Sequence, residues 1–221
     1  MKKAMVGLAL MLVSAVSQAA DFSVIRQYVF PIMVVSEIDK KKNEAAIVST
    51  GSVVILSPRY ALTAAHVLDN KHKAIFIVKD RPIKINMVKV DKEKDLALVE
   101  GDFGCPCATI GDVAPGLDQE IVIVGYPLYT SYGVQMVTRG HVQGLHMKRL
   151  ITTAETTFGG SGGGLFTKQG NTYVLVGIVE GVGASPIGPP IVQLQQQHNW
   201  ISFSVPVDAI REFVRGTPAQ Q

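Results

Sequence analysis

Two cysteines, Cys105 and Cys107, and one tryptophan are all that the 221 residues contain of either type. Cys105 and Cys107 flank Pro106, and a bridge between residues two apart would be strained. A zinc site needs more ligands than this pair supplies. They read as two small free thiols in a connecting loop, so no disulfide framework is expected. A strong charge of one sign is also missing. Lys and Arg number 21 against 18 Asp and Glu, a formal +3. That excess is too small to argue for nucleic acid or an acidic membrane surface as partner. Beyond the N-terminus no apolar run approaches the ~20 residues of a membrane span. Repeats, heptads and low-complexity tracts are absent. His141 and His146 stand five apart with no third ligand nearby, and His72 lies in a Lys-rich turn. No metal and no cofactor is therefore implied.

What is present begins with a secretory signature. Lys2 and Lys3 precede an apolar run of 13 residues, Ala4 to Val16, followed by Ser17-Gln18-Ala19. This is the n-region, h-region and small-residue cleavage pattern of a signal peptide over residues 1–19, with export to the periplasm or medium. No cysteine near the cut indicates lipid attachment, so no stable membrane anchor is expected after cleavage. The remaining chain, at 47% hydrophobic and 18% charged overall, is too apolar for wholesale disorder. Short runs rich in Val, Ile, Thr and Tyr recur between turn residues. The first series is 28–35, 46–56, 73–79, 83–90 and 96–99. The second is 119–125, 134–145, 148–153, 173–180 and 200–205. Such spacing, without long helical patterns, predicts an all-β fold. Two series of about six strands predict two barrels, about 22–104 and 117–206, joined through the Gly-, Pro- and Cys-containing stretch 101–116. Val207, Ile210, Phe213 and Val214 fall on one helical face, which predicts a short C-terminal helix over 207–215. Gly216 and Pro218 then stop it, leaving a frayed tail over 217–221. The Pro- and Gln-rich stretch 184–199 reads as a lid or binding loop, or as an excursion without structure of its own.

One stretch does not fit a packed element. Phe158-Gly159-Gly160-Ser161-Gly162-Gly163-Gly164 sets one hydroxyl among five glycines. Glycine permits positive φ and close approach, as a loop presenting a nucleophile beside backbone N–H groups requires. A plain Gly/Ser hairpin tip would look the same in isolation. A serine nucleophile needs a base, and the base needs a group to hold its tautomer. Of the five histidines, His66 is set among small residues in Thr63-Ala64-Ala65-His66, directly after an apolar run. Asp95 stands at the mouth of the apolar strand Leu96–Val99. Each alone is as well explained by structure as by catalysis.

Together, Thr63-Ala64-Ala65-His66, Asp95-Leu96-Ala97-Leu98 and Gly159-Gly160-Ser161-Gly162-Gly163 resemble the three motifs of trypsin/chymotrypsin-like serine peptidases, in that family's order. The flanks Gly51–Pro58, Val176–Val179 and Ile201–Val207 extend the resemblance over roughly residues 22–215. The last of them is similar to bacterial HtrA/Deg-type protease domains, here without a following PDZ domain. The α/β-hydrolase elbow, which shares G-x-S-x-G, requires Ser, acid, His in that order, and the residues after Ser161 do not supply it. The resemblance implies two six-stranded antiparallel barrels with a C-terminal helix, and a polypeptide as substrate. Ser161 would be nucleophile, His66 general base and Asp95 its orienting acid. The N–H groups of Gly159 and Ser161 would form the oxyanion hole. By the same resemblance Glu155, six residues before the serine, would line the primary specificity pocket, and Glu180 stands where the family usually has a small residue, behind the catalytic acid or at the cleft edge, so both carboxylates are expected at that pocket. A buried carboxylate there implies preference for Lys or Arg. Gly160 replaces the aspartate that pairs with a new N-terminus in trypsin-like zymogens, so activation by that ion pair is not expected. The rival expectation is a peptide-binding protein that keeps the fold without turnover.

Overall fold

The structure, a computed structural model, describes residues 22–35, 47–68, 74–78, 81–104, 106–128, 133–187 and 194–220. The expected signal peptide over 1–19, His72 and Cys105 lie outside them, as does the side chain of His198. A single helical turn, α1 (Ser23–Arg26), leads into the first sheet. Its strands are β1 (Val29–Val35), β2 (Ile47–Ile55), β3 (Tyr60–Thr63), β4 (Ala74–Val78), β5 (Pro82–Lys84), β6 (Asn86–Asp91) and β7 (Leu96–Glu100). They pair in the order β5-β4-β1-β2-β3-β7-β6, and every pairing is antiparallel. The two edge strands, β5 and β6, are joined through the single residue Ile85, so the sheet must roll until its ends meet at that corner.

The second half is a closed antiparallel barrel, ordered β10-β13-β12-β11-β8-β9. It comprises β8 (Glu120–Gly125), β9 (Met136–His146), β10 (Arg149–Thr152), β11 (Gly164–Gln169), β12 (Thr172–Ile187) and β13 (Leu194–Pro206). Helix α2 (Val207–Val214) follows directly, burying Val207, Ile210, Phe213 and Val214 as the periodicity predicts. The expected all-β class and one six-stranded barrel are thus present, while the first half is a seven-stranded rolled sheet.

Two strands escaped the pattern reading. β3 has only four residues, and β11 begins inside the glycine run, where composition points to a loop. Of the stretch 184–199, the described parts continue β12 and β13 as a ribbon, Gly183↔His198 through Ile187↔Leu194, and 188–193 lie outside the described residues. Within the expected tail 217–221, Gln221 lies outside the described residues. Ala219 is fully buried, and Gln220 Oε1 accepts from the N–H of Gly216. The reading of free thiols is also corrected. Cys107 is disulfide-bonded, and no free cysteine occurs among the described residues.

Three apolar clusters form the core. One fills the rolled sheet, around Ile32, Val53, Ile77 and Val99. Another fills the barrel, around Ile121, Leu165, Val176 and Val179. The third lies between them and takes residues from both: Ile25, Val54, Leu62 and Leu98 meet Val124, Phe166, Ile178 and Phe213. The two halves therefore share buried apolar surface, which fixes how their facing loops meet.

Candidate active site

His66 follows β3 on a short 3₁₀ turn, Ala65–Leu68. Because β3 pairs with β7, the end of β3 lies beside the start of β7, where Asp95 sits. Asp95 has φ 56°, a left-handed conformation that aspartate tolerates better than most residues. Its carboxylate is used twice. Oδ1 accepts the backbone N–H of His66 at 2.9 Å, and Oδ2 is 2.8 Å from His66 Nδ1. A carboxylate can only accept, so Nδ1 carries the proton and Nε2 is the ring atom left to take one. Asp95 is largely buried, with 10% side-chain exposure, whereas His66 is 49% exposed. The acid is sheltered and the base is presented.

Ser161 enters on the loop between β10 and β11. Several contacts bring it to the histidine motif. Its carbonyl accepts the N–H of Ser52 at 2.7 Å. The next residue, Gly162, has φ 84°, and a Cβ there would lie 2.1 Å from Ser52 O and 2.2 Å from Thr63 Oγ1. Only glycine lets this loop lie against the strand that delivers His66. Thr63, fully buried, donates its hydroxyl to Ser52 O at 2.7 Å. The Ser161 hydroxyl itself donates to the carbonyl of Glu180 at 2.9 Å. Its single proton is engaged there in this resting arrangement.

The glycine loop before Ser161 has a defined orientation. The carbonyl of Phe158 accepts the N–H of Leu128 at 2.6 Å. In a trans peptide the N–H points opposite to the C=O, so the Gly159 N–H is turned away from Leu128. The Gly159 carbonyl accepts the Ser52 hydroxyl at 2.9 Å, and Ser52 Oγ in turn accepts the N–H of Tyr126 at 2.8 Å. Gly159 has φ 86°, open to glycine at little cost. At Gly160 a Cβ would sit 2.1 Å from Thr156 Oγ1, leaving no room for an aspartate in this loop.

Ser52 was quoted in the sequence only as part of a strand. Its signal was a polar residue in an apolar run, and it is fully buried with both side-chain bonds made to backbone. Arg149 was likewise only part of a strand. It pairs with Glu180 through Nε and Nη2, the latter at 3.3 Å from Oε1. The two carboxylates expected at the specificity pocket are not together. Glu155 is exposed and lines a cavity of about 170 Å³ with Met136 and Thr138. Glu180 faces a different cavity, of about 380 Å³, with Arg149, Val182 and Phe203. His141 and His146 are both exposed, and among the described residues no three His, Cys, Asp or Glu side chains converge as a metal site would need.

No curated protein matches the chain. The family model for the trypsin-like peptidase domain matches residues 50–178, more than half of the chain, with all three motifs inside. The protein belongs to the trypsin-like peptidase domain family.

Proposed function

We propose that this protein is an exported serine endopeptidase that cleaves polypeptides through an acyl-enzyme on Ser161. The observation that carries the reading is the double use of the Asp95 carboxylate, which holds both the backbone and the ring of His66. In the proposed reaction the Ser161 hydroxyl turns from Glu180 to His66 Nε2. As Oγ bonds to the substrate carbonyl carbon, its proton passes to Nε2, and the carbonyl electrons move onto oxygen. The N–H groups of Gly159 and Ser161 stabilise that oxyanion, and Asp95 stabilises the imidazolium. Collapse breaks the C–N bond, with the proton on Nε2 going to the leaving amine. Water then repeats the sequence on the acyl group, releasing the acid and restoring the serine. No cofactor enters any step.

The hydrogen bond from Ser161 to Glu180 favours a second reading, a peptide-binding protein in which the hydroxyl stays with that carbonyl. A fluorophosphonate probe on the exported chain distinguishes them. The first reading expects Ser161 to be labelled on a chain beginning at Ala20, and Ser161→Ala to lose labelling and at least about 10⁴-fold in hydrolysis. An unlabelled wild-type chain, beside a labelled control peptidase, would leave the binding reading standing. A mass retaining residues 1–19 would remove the export proposal.

A further inference from the structure

One guanidinium touches both sides of the site. Arg149 opens β10, immediately after the two-residue turn Met147-Lys148. Both turn residues have positive φ, 46° and 64°, which suits the twist of a hairpin but is unfavourable for residues with a Cβ. From that turn Arg149 reaches the Glu180 carboxylate, and its Nη2 also lies 3.3 Å from the carbonyl of Glu93. Glu180 is the residue whose own carbonyl holds the Ser161 hydroxyl. Glu93 lies two residues before Asp95 in the turn between β6 and β7. The same turn also meets α2, where Lys94 Nζ is 3.6 Å from Glu212, and in the preceding strand Lys89 Nζ donates to Phe213 O at 2.6 Å.

We infer that Arg149 is a positioning residue for catalysis, clamping the segment that carries the nucleophile's acceptor to the segment that carries the orienting acid. The inference rests on the serine-peptidase reading. Arg149 acts through Glu180 and Glu93, not on substrate. The rigid fork of a guanidinium can serve a carboxylate and a carbonyl together, whereas an ammonium on a flexible stem is a point charge. The Arg149 side chain is only 21% exposed, so its bonds are partly shielded from water. Its loss frees Glu180, the base from which the Ser161 hydroxyl swings to His66. Small misplacements of reacting groups are costly in rate.

The test compares wild type, Arg149→Ala, Arg149→Lys and Glu180→Gln by labelling rate at Ser161, by kcat and KM on a peptide ester, and by thermal midpoint. Arg149→Ala is expected to label about 10- to 100-fold more slowly, with the loss in kcat rather than KM. Arg149→Lys is expected to recover part of it. Ethylguanidinium, which can enter the open cavity beside Glu180, is expected to speed Arg149→Ala but not Glu180→Gln. Arg149→Ala labelling at the wild-type rate would overturn the clamp and leave the peptidase reading intact. A slowed rate that ethylguanidinium leaves unchanged, and that follows a lowered thermal midpoint, would also overturn it as a merely structural effect. An unlabelled wild type removes both.

Discussion

At the scale of single residues, the arrangement turns on Ser52. Its hydroxyl is both donor and acceptor, joining Gly159 O to Tyr126 N, while its main-chain N–H holds Ser161 O. Ser52→Ala would remove both hydroxyl bonds, the one to the carbonyl of Gly159 and the one from the N–H of Tyr126, costing about 1–3 kcal/mol of stability. Urea denaturation should show a lowered midpoint, and the oxyanion loop should lose activity along with it. A midpoint equal to wild type would show that the loop does not depend on this hydroxyl. His66, Asp95 and Ser161 could be picked out because their three short motifs occur together and in one order along the chain. Ser52 and Arg149 could not, since the partners of their side chains lie 74 or more and 31 or more residues away in sequence. Glu155 and Glu180 were paired by motif position, but their carboxylates line separate cavities.

Among elements, the turn from β6 to β7 carries the most consequence. Asp91 accepts the N–H of Lys94 through Oδ1 at 2.9 Å and pairs with its ammonium at 3.1 Å. The Lys94 N–H, and secondarily its side chain, hold the Asp91 carboxyl below its ordinary 3.8. A carboxylate with a depressed folded value contributes stability above the unfolded value and loses it as pH falls through the folded one. Asp91→Asn keeps an oxygen to accept the N–H but cannot titrate. As pH falls below about 4 its stability should therefore fall less steeply than wild type. Parallel acid titrations of the two proteins would contradict this. Strand existence was mostly readable from β-branched runs. β3 and β11 were not, because one is only four residues long and the other starts on a glycine forced by the neighbouring Phe166 ring, 2.4 Å from where a Cβ would lie.

For the molecule as a whole, the shared apolar cluster is what turns two sheets into one site. Phe166, fully buried, is among its largest side chains and packs at 6.2 Å from the Tyr28 ring across the two halves. Phe166→Ala should cost about 3–5 kcal/mol, measured by denaturant unfolding, and should slow Ser161 labelling because the facing loops lose their common support. A loss of stability with unchanged labelling would place the support elsewhere. The sequence by itself determined the β class, the C-terminal helix and the identity of the three motifs, because periodicity and glycine content act over a few residues. Only the tertiary structure decided that Ser161 rests on Glu180, that Ser52 orients the glycine loop and that Arg149 reaches both Glu180 and Glu93. Those are contacts between distant segments, and they exist only once the rolled sheet and the barrel pack against each other.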